Sequence, residues 1–190
     1  MHRVVRKGPT SALFDAELGN RLMRIYGLWR RPRNPDDFFR MLKAESAKHS
    51  GTKEFLNRVR SEEAVIGRSD EPTKDWIAMG RSEKVYTLCS YDTLMTAILS
   101  GGSTIGSVCP HCGMAMKVRI KQGKLANFSP KGMVFFWGTG PEESPGNPMC
   151  DHLHLFPDTG HRKEWANSRL GEMGFEFGLP EAVFRLKERF

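Results

Sequence analysis

Leu13, Phe14, Leu18, Leu22, Ile25 and Tyr26 recur at helical spacing, and Thr10 or Ser11 stands where a cap belongs, so the chain opens on an amphipathic helix. The basic, proline-bearing segment RRPRNP, residues 30–35, breaks it. Asn34, Pro35, Asp36 and Asp37 then supply a cap, a proline for the first turn and acids for the positive end of the helix dipole. Phe38, Phe39, Met41 and Leu42 give this second helix its buried stripe. A short third helix is predicted over residues 53–59. The polar run RSDEPTKD, residues 68–75, reads as a linker.

Beyond that run the pattern changes. The β-rich stretches VYTL (85–88), MKVRI (116–120) and MVFFW (133–137) alternate with Gly and Pro punctuation and predict a sheet. Between them SYDTLMTAILSGG (90–102) predicts a short helix, with Ser90 as cap, Asp92 in the first turn, an apolar face of Leu94, Ala97 and Ile98, and glycines at its end. GTGPEESPGNP (138–148) is a loop by composition and delivers the chain to Cys150. Two closing helices are expected over residues 161–168 and 180–190. The expected class is α+β: a helical N-terminal region, residues 1–72, followed by a sheet domain with short flanking helices, residues 73–190.

Bulk properties narrow the function. With 190 residues, 39% of them hydrophobic, the chain can bury a core without covalent staples. No apolar run approaches the roughly 18 residues of a membrane span, and the opening MHRVVRKGPT lacks the apolar core of a secretory signal, so no membrane partner and a cytoplasmic location are expected. The formal charge of +7 reads as a solvated basic surface, because no interleaving of aromatic and basic residues marks a nucleic-acid face. The four cysteines, Cys89, Cys109, Cys112 and Cys150, are then free thiols in a reducing compartment, where thiols near His and Asp serve as ligands or nucleophiles more often than as bridge partners.

Cys89 ends a predicted strand just before a helix N-terminus, where amide groups and the dipole favour thiolate. Asp92, three residues on, falls in the first turn, within reach of the sulfur. Alone, each has a plainer use: Cys as a small buried hydrophobe, Asp as a partner of the dipole. Cys150 changes the weighing. If CDHLHLF (150–156) is a strand, Cys150, His152, His154 and Phe156 share one face, although packed and hydrogen-bonded imidazoles are a commoner outcome than direct ligation. Cys109-Pro-His-Cys112-Gly has the spacing of a zinc knuckle. A treble-clef-like zinc module built from Cys109, Cys112, Cys150 and His152 or His154 is therefore the competing reading.

The run LCSYDTLM, a later Cys, FSPKGMVFF, CDHLHLF, EW and the closing PEAVFRLKERF together resemble, in that order, the catalytic domain of organomercurial (alkylmercury) lyases. The resemblance extends from Val85 to the C-terminus, a little over half the chain. The N-terminal half does not resemble the winged-helix-like domain usual in that family, and a full CxxC departs from its pattern. The resemblance implies an alkylmercury-lyase-like mixed β-sheet domain and a lyase for the detoxification of organomercurials. It implies Cys89, Asp92 and Cys150 as catalytic residues, with Cys89 and Cys150 holding the substrate or product mercury and Asp92 relaying a proton. No cofactor is required on this reading. Partners would be an organomercurial or related organometal substrate, and small thiols or a mercuric reductase as acceptor of the metal. The chemistry suits the residues, since mercury is soft and thiolate is the softest ligand a protein offers. A non-catalytic metal carrier on the same scaffold would carry the same residues.

Overall fold

The structure, a computed structural model, describes residues 14–46, 48, 50–61, 64–79, 84–140 and 149–188. Three helices come first: α1 (Ala16–Ile25), α2 (Pro35–Ser46) and α3 (Ser50–Arg60). α1 starts at Asp15, whose carboxylate accepts from the Leu18 amide at 2.9 Å, while Thr10 and Ser11 lie outside the described residues. α2 starts as its sequence dictates, with the Asp37 amide donating to Asn34 Oδ1 at 2.8 Å. Asp37 also gathers the basic segment before it. Arg30 donates to both carboxylate oxygens at 2.6 and 2.7 Å, Arg40 at 2.6 Å and the Arg33 amide at 3.0 Å. Part of the positive charge is thus spent on an internal clamp. The Arg30 guanidinium, above all, holds the buried Asp37 carboxyl well below the usual carboxylate range, and burial opposes it.

The strands form two sheets. The first holds β1 (Arg68–Ser69), β2 (Asp75–Met79), β3 (Val85–Thr87), β4 (Gly102–Val108), β5 (Ala115–Lys121) and β6 (Lys124–Ser129), in the order β1-β3-β2-β4-β5-β6. The second holds β7 (Val134–Thr139), β8 (Leu153–Phe156) and β9 (Met173–Gly178), in the order β8-β7-β9. The α+β class holds. Every pairing among the described residues is antiparallel, where the resemblance led to a mixed sheet. The polar run around residue 70 is not a bare linker, since Arg68 and Ser69 pair with Thr87 and Tyr86 and Asp75 opens β2.

Burial follows the sequence pattern. In β5 the buried Met116, Val118 and Ile120 alternate with the exposed Lys117, Arg119 and Lys121, the signature of a strand with one wet face. β7 runs down the middle of its sheet and is buried at every position, which accounts for the unbroken MVFFW run. α4 (Ser90–Leu99) is buried almost all round, because it touches β2 and β4 of one sheet, β8 of the other, and α6 (Leu179–Glu188). α5 (Thr159–Asn167) follows β8 and starts at Asp158, which caps the His161 amide at 3.0 Å.

The helical region is seated on the second sheet through aromatic rings. Phe38 and Phe39 meet Trp137 edge-on at 5.3 and 5.0 Å, and Trp137 Nε1 donates to Tyr26 Oη at 3.0 Å. Tyr91 of α4 meets the same indole at 5.3 Å. The side chains of all these elements belong to one apolar core.

Candidate functional site

The N-terminus of α4 carries the first two residues of the site. Cys89, not Ser90, takes the cap position, in extended conformation and with no side-chain capping bond. Ser90 has a different task. Its hydroxyl donates to Asp75 Oδ1 of β2 at 2.8 Å and accepts from the Leu155 amide of β8 at 3.1 Å. One buried hydroxyl therefore pins the helix to both sheets. Asp75 is itself fully buried and takes a second charge-assisted bond from Lys74 at 2.6 Å. Below the turn, Thr93 Oγ1 donates to the Cys89 carbonyl at 2.9 Å and lies 2.5 Å from Thr87 Oγ1.

That pin determines where Cys150 arrives, because β8 begins three residues after it. Cys150–His152 is a single 3₁₀ turn rather than the start of the strand, so period two does not hold there. The turn brings the Cys150 thiol against the Cys89 corner. Cys89 Sγ donates to Asp92 Oδ2 at 3.2 Å, and Cys150 Sγ to the same oxygen at 3.6 Å. The two sulfurs and a carboxylate oxygen all lie within 4.8 Å of one another. Among the described residues no other group of three or more His, Cys, Asp or Glu ligand atoms converges in this way.

The electrostatics correct one expectation. Hydrogen bonding to Cys150, burial and the neighbouring Asp92 carboxylate all push the Cys89 thiol far above its ordinary range, so it rests as thiol and not as the thiolate a helix N-terminus favours. Burial, first of all, pushes Asp92 up too, while hydrogen bonds from the two thiols pull it back. Protons shared by three close groups belong to the set rather than to any one member. Two thiols and a carboxyl group so placed can offer soft donors to a cation, with an oxygen beside them able to accept a proton.

The histidines do not join it. His152 Nδ1 is paired with the Glu172 carboxylate, whose side chain is buried, at 2.9 and 3.0 Å. His154 meets Trp165 edge-on at 4.8 Å, and burial holds its imidazole well below the usual range, hence neutral. The zinc module of Cys109, Cys112, Cys150 and a histidine is not assembled among the described residues. Cys150 faces Cys89 and Asp92, and the CxxC turn stands apart between β4 and β5.

Two contributors escaped the sequence reading. Ser90 and Asp75 act as a pair 15 residues apart, beyond any local motif. Gly67 is the other: a Cβ built there would lie 2.1 Å from Asp92 Oδ2, so its bare backbone closes over the carboxyl group. Its positive φ of 55° is a signal only a structure reveals.

Comparison with known proteins places the chain in a family and matches its fold. A family model described as alkylmercury lyase matches residues 69–189, a span holding all three converging residues. Among solved structures, the mercury-bound form of MerB2 is similar with a TM-score of 0.53 and 21% identity, covering 77% of this chain and 81% of that chain. At that identity the likeness is one of fold. No curated protein sequence matches the chain.

Proposed function

Because the chain belongs to the alkylmercury lyase family, we propose that it cleaves carbon–mercury bonds by protonolysis, with Cys89 and Cys150 binding the metal and Asp92 carrying the proton. The observation that supports this reading best is the approach of two sulfurs and one carboxylate oxygen to within 4.8 Å of one another. In the reaction the first thiol displaces the substrate's counter-ligand and loses its proton. The second sulfur then bonds to mercury, and two soft donors push electron density into the mercury–carbon bond. Asp92, within 3.6 Å of both sulfurs, takes a thiol proton and passes it to the carbon as that bond breaks. Two S–H bonds, one Hg–C bond and the bond from mercury to its counter-ligand are lost. Two S–Hg bonds and one C–H bond form, the second proton leaves with the displaced ligand, and mercury stays divalent throughout.

Resting thiols fit this sequence of events, since each proton stays in the site until the metal arrives. Small external thiols would remove the mercuric product by exchange. On this reading a reducing cytoplasm supplies them. The biological role on this reading is detoxification. Reduced protein mixed with a phenyl- or methylmercury salt and excess thiol should release benzene or methane, measured by gas chromatography. Cys89→Ala, Cys150→Ala and Asp92→Ala should each abolish release. Retained turnover in Cys89→Ala overturns the mechanism, and mercuric binding with no hydrocarbon from the unaltered protein makes the chain a metal carrier instead.

A further inference from the structure

The CxxC turn has no part in the chemistry above, yet its geometry is that of a prepared ligand pair. Cys109 is 2% exposed at the end of β4, while Cys112 stands in solvent. The turn is closed by the Cys109 amide donating to the Met114 carbonyl at 2.9 Å and the Gly113 amide to the Cys109 carbonyl at 3.0 Å, with Gly113 at a φ of 75° that favours glycine. The two sulfurs interact. The Cys112 thiol and the Cys112 and His111 amides lie against the Cys109 sulfur. Amides aimed at a sulfur stabilise its thiolate once a cation takes the proton's place.

The pair lacks what a harder ion needs. His111 is turned to α5, its Nε2 2.9 Å from Glu164, and no third His, Cys, Asp or Glu ligand atom converges on the turn among the described residues. Zinc is held by four ligands in structural sites, whereas a soft ion is satisfied by two thiolates. The location is suggestive as well. Ser107 pairs with Asp75, the residue that holds Ser90, so the CxxC turn leaves the six-stranded sheet at the same end as the Cys89 corner.

We propose that Cys109 and Cys112 form a second soft-metal site, which binds a mercuric ion between two thiolates at the protein surface. The choice of ion rests on the proposed carbon–mercury chemistry, whose product it is. Two S–H bonds break, two protons pass to water, and two S–Hg bonds form with no change of oxidation state. An ion held there is open to exchange with external thiols through the exposed Cys112.

The full chain carrying Cys89→Ala and Cys150→Ala together, reduced and titrated with mercuric chloride, should still bind one ion per chain by native mass spectrometry. Adding Cys112→Ser should abolish that binding. Cys112→Ser alone should lower the capacity of the otherwise unaltered chain from two ions to one, which keeps the test open if the double variant does not fold. Its hydrocarbon release in excess thiol should be unchanged, so a failed lyase reading shows up in gas chromatography and a failed second site in mass spectrometry. Loss of all binding in a folded double variant overturns the proposal. So does zinc bridging two copies through Cys112.

Discussion

Gly67→Ala tests the site without touching a sulfur or a carboxyl group. The added methyl would stand 2.1 Å from Asp92 Oδ2 and 2.4 Å from its Cγ, so the pair must separate by about 0.9 Å to reach the 3.0 Å that real Cβ contacts allow. The glycine side cannot easily give way. Its carbonyl accepts from the Leu88 amide at 2.7 Å, and the Ile66 amide donates to Thr96 Oγ1 at 2.9 Å. The displacement therefore falls on Asp92, which must leave one or both thiols. A misplacement of about 1 Å at a reacting group costs on the order of 100-fold in rate. The left-handed backbone adds a stability cost of about 1–2 kcal/mol. We expect Gly67→Ala to stay folded, with a modestly lower Tm, and to release hydrocarbon about 100-fold more slowly, while mercuric binding by the two thiols persists. Wild-type turnover in the folded variant would refute the argument, because it would mean that Asp92 need not stay where this contact holds it.

Ser90→Ala orphans the buried Leu155 amide and one oxygen of Asp75, and should cost about 1–3 kcal/mol in urea denaturation; an unchanged midpoint would remove the pin. Trp165→Ala strips the ring that packs on His154 and Phe156 at 4.8 and 5.4 Å, and should cost about 3–5 kcal/mol by the same measurement. Asp37 has a folded-state pKa below its unfolded value of 3.8, so its contribution is present above that pH and fades as acid drives the pH below it. Asp37→Asn should therefore lose about 1–3 kcal/mol at neutral pH and show a flatter decline between about pH 4 and 2, whereas parallel curves for the two proteins would contradict the clamp.

What the sequence disclosed was local. Asn34-Pro35 marks a helix start because cap and proline act within one turn, and MVFFW marks a strand because apolar residues on both faces require cover on both faces. The chemistry of Cys89 and Asp92 was legible for the same reason, since three residues in a first turn always lie close. Cys150 was legible as a residue but not as a geometry. CDHLHLF alternates like a strand from its first position, and only the packed protein shows that its first three residues coil into a turn. The thiol state of Cys89 was misread because the dipole is a local property and the competing Cys150, 61 residues away, is not. Gly67 and the Ser90 pin were silent because their partners lie 25 and 65 residues off.

Trp137 gives α1 and α2 a purpose that needs no contact with mercury. The indole is gripped by Tyr26, Phe38 and Phe39 on one side and by Tyr91, two residues from Cys89, on the other. The helices α1 and α2 and the N-terminus of α4 thus pack on one and the same indole within one apolar core. Sequence drift among those helices can retune the tightness of the thiol pair from a distance, leaving each reacting atom as it was.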